Sequence, residues 1–298
     1  MSFSIARGVV APLLTPFDDD LSIATDLYVE HAERLLEQGC VALAPFGTTG
    51  EALSVGIDER VIAIRALIDG GIDAGRLVPG TGLSNVADTA RLSRACLDLG
   101  CAAVMTLPPF YFKGVTDDGL FHYFEALVTR LGPDARLFLY HIPPIAIVGI
   151  SVALAARLHT AFPQQVVGIK DSSGDWDNTR ALLGIDGLVV YPGSELPLLD
   201  ALELGAPGCI TATANINAAA IARVIELYDA GDLEAAAASH QAVARTRELI
   251  QAYSPIPAQK FLLAASTGER RWANVRPPLT ALDAASGKAL ADSLAATD

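Results

Sequence analysis

The 298-residue chain predicts an α/β fold, a (β/α)8 barrel with a C-terminal helical extension. Three observations carry that expectation. Short apolar runs rich in Val, Ile, Leu and Ala alternate with amphipathic stretches, the pattern of parallel strands buried on both faces. Eight such units fill residues 1–229 without hairpin turn signals between them. The first run closes as Pro12-Leu-Leu-Thr-Pro16, without the glycine fingerprint that an open dinucleotide-binding sheet places there.

The elements follow in order. Gly8–Thr15 is the first strand, and a helix over Asp26–Gln38 stops at Gly39. Cys40–Phe46 runs into the turn Gly47-Thr48-Thr49-Gly50-Glu51. The helix Asp58–Asp69 sets Val61, Ile64 and Ile68 on one face. Leu77–Gly80 is the third strand, and Val86–Leu99 its helix, with Leu92, Ala95 and Leu99 on one stripe. Ala102–Leu107 leads to Pro108-Pro109-Phe110-Tyr111, and the helix Asp117–Arg130 carries acids in its first turn, where the macrodipole favours them. Arg136–Tyr140 is closed by Pro143 and Pro144, and Ser151 is an N-cap for a helix ending near Thr160.

The sixth run, Val166-Val167-Gly168-Ile169, delivers Lys170 into the polar loop Asp171-Ser172-Ser173-Gly174. Leu188–Pro192 ends in Gly193-Ser194-Glu195. Gly208–Ala212 is followed by Thr213-Ala214-Asn215 and a helix to Asp229. Residues 230–298 are alanine-rich, with helices over Leu233–Gln251, Pro257–Ala265 and Ala284–Ala296. No linker precedes them, so this extension is expected to pack on the barrel or on a partner subunit.

Composition excludes several classes. The net charge is −13 and the basic residues are scattered, so no nucleic-acid partner is expected. The chain is 51% hydrophobic, yet no apolar run reaches the length of a membrane span, and no membrane association is expected. Met1–Arg7 lacks the pattern of a signal peptide. Cys40, Cys96, Cys101 and Cys209 form no C-x-x-C pair, which predicts reduced thiols in a cytoplasmic protein. His31, His122, His141, His159 and His240 form no ligand cluster, so neither a metal nor another cofactor is expected.

Barrel chemistry sits at the C-terminal strand ends. This reading places there Thr15, Thr48, Thr49, Tyr111, Tyr140, Lys170, Gly193, Ser194, Glu195, Thr211 and Thr213. A lysine at the tip of an apolar strand is poorly solvated, which favours the neutral amine that attacks carbonyls. A tyrosine hydroxyl beside it can shuttle protons. The Gly-Thr-Thr-Gly turn offers backbone and hydroxyl donors suited to a carboxylate. Gly80-Thr-Gly82 lacks the rest of a phosphate loop and reads as a tight turn, while Trp176 and Trp272 read as packing residues.

Gly47-Thr-Thr-Gly-Glu51, Tyr140-His-Ile-Pro143 and Gly168-Ile-Lys-Asp171 resemble, in order and spacing, the signatures of the dihydrodipicolinate synthase / N-acetylneuraminate lyase family. The resemblance extends to Thr213-Ala-Asn215 and Pro255-Ile-Pro-Ala-Gln-Lys260. It implies a pyruvate-dependent class I aldolase, lyase or dehydratase on a barrel with a helical extension. It also implies a homotetramer built as a dimer of dimers. Lys170 would form a Schiff base with a 2-oxo acid, and Tyr140 would be its general acid/base. Thr48 and Thr49 would bind the carboxylate, with Thr48 also in a proton relay. Tyr111 would complete that relay from a neighbouring subunit, and the backbone of Gly193 and Ile210 would line the pocket.

One departure stands out. The synthases carry an arginine five residues after the tyrosine, to anchor the carboxylate of aspartate semialdehyde, and here that position is Ile145. An apolar side chain cannot replace a bidentate clamp. Tyr140-His-Ile-Pro143 is closer to the neuraminate lyases, yet those read Gly-Ser-Thr-Gly where this chain has Gly47-Thr-Thr-Gly50. Aldol cleavage of a 4-hydroxy-2-oxo acid or deoxy sugar acid is therefore preferred to lysine biosynthesis. A 2-keto-3-deoxy sugar acid dehydratase and a catalytically silent 2-oxo acid binder are the alternatives. Lys113 reads as a solvated loop lysine before a substitute positive charge, and substrate contact is the lesser reading for His141 in the strand 5 loop.

Overall fold

A computed structural model describes residues 6–296; part of the segment tested for a signal peptide lies outside them. Its strands are Gly8–Ala11, Cys40–Leu43, Val104–Thr106, Leu137–His141, Val166–Asp171, Val189–Pro192 and Gly208–Ile210, all paired in parallel. They form two arcs. The first strand pairs with the strands at 40–43 and 208–210, and the other four run in chain order.

The expected third strand joins the arcs without forming a regular ladder. It bridges Leu43 through Leu77 and Met105 through Gly80. The Val78 and Gly80 amides donate to Leu43 and Pro45, while Met105 N–H reaches the Pro79 carbonyl at 2.8 Å. Pro79 has no N–H of its own to donate, which leaves bridges where a strand was expected. On the other side, Val189–Pro192 lies beside Gly208–Ile210. The barrel is thus complete with eight staves.

Alternating side chains build two cores. Val10, Ala42, Ala44, Val78, Met105, Phe138 and Tyr191 fill the barrel interior. Val9, Leu43, Val104, Leu137, Leu139 and Ile169 face outward and pack against the helices. Ser151 caps its helix as expected, accepting the Leu154 N–H at 3.0 Å. Two short helices, Trp176–Leu183 and Leu198–Glu203, supply the crossovers after the lysine strand and the next one. The final helices are Leu233–Gln251, Pro255–Thr267 and Ala284–Ala295. No helix among the described residues is long and apolar enough to cross a membrane.

A buried polar knot ties the first and last staves together. Asn215 Oδ1 accepts the Leu14 N–H at 3.0 Å, and its amide donates to the carbonyls of Pro12 and Ala212. His31 Nε2 lies 2.9 Å from the same Oδ1, and Arg34 donates to His31 Nδ1 at 2.7 Å. That pattern selects the neutral Nε2–H tautomer. Burial, helped by Arg34, pushes the imidazole down to about 3. The unfolded chain therefore binds the proton first, and stability present above the ordinary histidine value of 6.5 is lost as pH falls toward 3. The slope of urea midpoint against pH in that window should flatten in His31→Gln, and an unchanged slope would assign acid sensitivity elsewhere.

Candidate active site

Lys170 owes its position to an irregularity in strand pairing. Leu137 stands opposite Val166, but Phe138 stands opposite Gly168, so Val167 is an extra residue. From there on, Leu139 meets Ile169 and Tyr140 meets Lys170. Bulges re-aim side chains in this way. Because residues in register share a face, Lys170 and Tyr140 point together into the barrel. Gly168 permits the close approach, since a Cβ there would lie 2.6 Å from the Val189 carbonyl oxygen and 2.3 Å from Phe138 Cε1.

The lysine and tyrosine are 5% and 4% exposed. The Lys170 Nζ lies 4.6 Å from the centroid of the Tyr140 ring. The Tyr140 hydroxyl is 3.2 Å from Thr48 Oγ1. Both strand tips open into a cavity of about 840 Å3 lined by Thr48, Thr49, Tyr140, Ile145, Lys170 and Gly193, among others.

The threonine turn is held from three sides. Thr15 Oγ1 donates to the Gly50 carbonyl at 2.8 Å. A Cβ at Gly50 would sit 2.8 Å from the Leu13 carbonyl oxygen, so only glycine fits. Glu51, at a left-handed φ of 55°, is fully enclosed and pairs with Lys260 from the extension. Lys260 also donates to the Asn274 carbonyl at 2.8 Å, and Glu51 Oε2 accepts the Arg276 N–H at 3.0 Å. Burial pushes the Lys260 ammonium down to about 8 despite the opposing pull of Glu51.

The acids near Lys170 are engaged elsewhere. Asp171 accepts from Ser173 N–H at 2.9 Å, Asn178 Nδ2 at 3.0 Å and Thr179 Oγ1 at 2.6 Å. Glu195 is buried and accepts the hydroxyls of Thr211 and Thr213.

Other sequence candidates lie elsewhere. Ile210 is buried in the interior cluster beneath the cavity and does not line it. Tyr111 is 85% exposed at a φ of 97°, on a loop outside this cavity. It lines a second, smaller pocket with Phe112, Lys113 and Ile147. His141 is buried, and its Nδ1 accepts the Ile150 N–H at 2.7 Å. Gly80-Thr81-Gly82 is no isolated turn: Thr81 is buried and bonds to Thr106 and Ser93. Trp272 packs edge-on against His31. Trp176 departs from its expected packing role, since the short helix it opens puts it on the cavity wall. Sequence reasoning missed Arg247, which enters the cavity from the extension, where the barrel pattern has ended. No cluster of potential metal ligands occurs among the described residues.

A lysine and tyrosine paired at barrel strand ends over a threonine turn are a narrow combination. Residues 5–297 match the dihydrodipicolinate synthetase family. The chain belongs to that family. An uncharacterized DapA-like lyase from Chloroflexus aurantiacus is 34% identical, over 86% of each chain. A 4-hydroxy-tetrahydrodipicolinate synthase from Thermus thermophilus is 33% identical, over 92% of this chain and 90% of that one. The dihydrodipicolinate synthase of Agrobacterium tumefaciens superposes with a TM-score of 0.89 at 35% identity, covering 98% and 99% of the two chains. As a dihydrodipicolinate synthetase family member, this protein is a (β/α)8-barrel lyase.

Within this family member, the buried Lys260–Glu51 pair has a measurable consequence. Breaking it in Lys260→Met strands a buried carboxylate and should cost ~3–5 kcal/mol in urea unfolding. A loss below about 1 kcal/mol would place the pair with weak surface bridges.

Proposed function

We propose that this lyase works through an imine between Lys170 and a 2-oxo acid, with pyruvate as one reaction partner and an aldehyde as the other. The observation that supports this most directly is the register of Tyr140 opposite Lys170, with the tyrosine hydroxyl 3.2 Å from Thr48 Oγ1. In this reading the Lys170 amine attacks the C2 carbonyl to give a carbinolamine. Tyr140 protonates the departing hydroxyl, water leaves, and the imine forms. Loss of a C3 proton gives an enamine that attacks the aldehyde carbon. Hydrolysis then frees the product and the lysine, and the same steps reversed cleave the C–C bond. Thr48 and Thr49 bind the carboxylate, Thr48 passes protons to Tyr140, and Gly193 contributes backbone to the pocket.

The barrel of residues 1–229 carries the chemistry, and the 230–298 extension closes its rim. Copies of the chain assemble as a homotetramer, in which Tyr111 completes a neighbouring relay. The exposure of Tyr111, Phe112 and Ile147, at 85%, 71% and 62%, supports a covered face there. The enzyme uses no cofactor and works in the cytoplasm, consistent with four buried free thiols. The acceptor differs from aspartate semialdehyde, because Ile145 stands 58% exposed on the cavity wall where a synthase needs a clamp. A lyase for a 4-hydroxy-2-oxo acid fits this wall better than the biosynthetic synthase does.

Borohydride reduction with pyruvate should add the mass of the reduced adduct, mapped to Lys170, and Lys170→Ala should lose both adduct and turnover. Tyr140→Phe should keep the adduct while kcat falls ~10²- to 10⁴-fold. Full activity in Lys170→Ala would sink the imine mechanism. Separately, Ile145→Arg should raise turnover of pyruvate with aspartate semialdehyde; no rise would remove Ile145 as the reason for a different acceptor.

A further inference from the structure

Beyond Lys170, the cavity wall carries one other basic side chain among the described residues, Arg247 of the helix Leu233–Gln251. Its guanidinium is only partly engaged. Nη1 donates to Thr211 Oγ1 at 3.4 Å and stands 3.8 Å from Glu195 Oε2, too far for a hydrogen bond. The Nε–H is buried without an acceptor. Glu195 is the buried counter-charge at that distance, but its oxygens accept the Thr211 and Thr213 hydroxyls and make no direct hydrogen bond to the guanidinium. The helix is anchored at this point, because His240 Nε2 lies 2.8 Å from the Glu195 carbonyl oxygen. A guanidinium held in place but not closed by a bidentate carboxylate can donate to one.

The rest of the wall carries carboxylates and apolar groups, so an anion on it is matched at Arg247. Asp171 is consumed by Ser173, Asn178 and Thr179, and Asp175 caps its helix through the Asp177 N–H at 2.9 Å. Asp200 stands on the same wall and repels a carboxylate that strays from Arg247. Ile142, Pro144 and Ile145 line the cavity with apolar surface, which suits the methylene chain of a substrate rather than its charge.

We propose that Arg247 is the specificity-determining anchor for a second carboxylate at the far end of the substrate, so that this lyase acts on 2-oxo diacids. The proposal rests on the Lys170 imine reading, and its test separates the two.

Borohydride trapping on Lys170 is measured against concentration for pyruvate, for 2-oxoglutarate and 2-oxoadipate, and for the monoacids of equal chain length, 2-oxopentanoate and 2-oxohexanoate. In the wild type a diacid should trap at a concentration ~10- to 100-fold below its monoacid. Arg247→Gln should erase that gap while trapping of pyruvate and of the monoacids stays unchanged, and Arg247→Lys should restore part of it. An equal response to diacid and monoacid in the wild type, or an equal loss for both in Arg247→Gln, overturns the anchor alone. Trapping with pyruvate but with neither longer acid also overturns it, because the cavity then does not take a chain that reaches the arginine. Failure of pyruvate itself to trap on Lys170 overturns the imine reading and the anchor with it. Thermal melts of each variant confirm that the folded protein is being compared.

Discussion

One extra residue in a strand decides which side chains of this barrel face its cavity. Parallel strands share faces residue by residue, so a pair without the bulge at Val167 would set Tyr140 opposite Ile169. The lysine would then face the helices and the isoleucine the cavity. Gly168 is the local enabler, because no side chain fits between Phe138 and the neighbouring backbone. The same constraint reaches the next strand, where Lys170 aligns with Tyr191, whose ring packs near Phe138 in the barrel interior. Lys170 and Tyr140 thus stand on rigid staves, and the groups suited to bind a carboxylate stand on a turn that other elements must hold.

That holding falls largely to residues far away in sequence. Glu51 sits directly after the threonine turn, and its partners Lys260 and Arg276 come from the extension. Arg276 also bonds Glu59 and lies over the Phe17 ring, and Arg271 pairs with Asp18 and Asp26. These ion pairs differ in weight. The Arg271 pairs are open to solvent and contribute little, whereas the Glu51–Lys260 pair is enclosed and intolerant of losing one member.

Much of this was legible in the chain. The strand runs, the helix stops and the Ser151 cap read directly, because each rests on local chemistry. Lys170, Tyr140 and Thr48 stood out because a polar residue at the tip of an apolar run has few structural uses. The bulge was hidden, since Val166-Val167-Gly168-Ile169 is apolar throughout and shows no alternation from which a face could be read. The third stave was read as a strand although Pro79 denies it a regular ladder. The crossover helices Trp176–Leu183 and Leu198–Glu203 are too short for periodicity to place their boundaries, which is why Trp176 was taken for a packing residue. Arg247 was invisible for a different reason. It lies on a helix of nineteen residues with few buried positions, and only the packing of that helix on the barrel turns one arginine inward.

The enclosed pair between residues 51 and 260 also orders events during synthesis. The chain emerges from its N-terminus, and the eight staves are complete once residue 210 or so is available. The turn after the second stave still lacks its lysine then, and Glu51 is left as an unmatched charge. Some fifty further residues must be added before Lys260 can reach it, and Arg276 closes the same carboxylate later still. A nascent barrel can therefore be fully wound and yet hold its threonine turn loosely, and that turn sets only as the last helices dock.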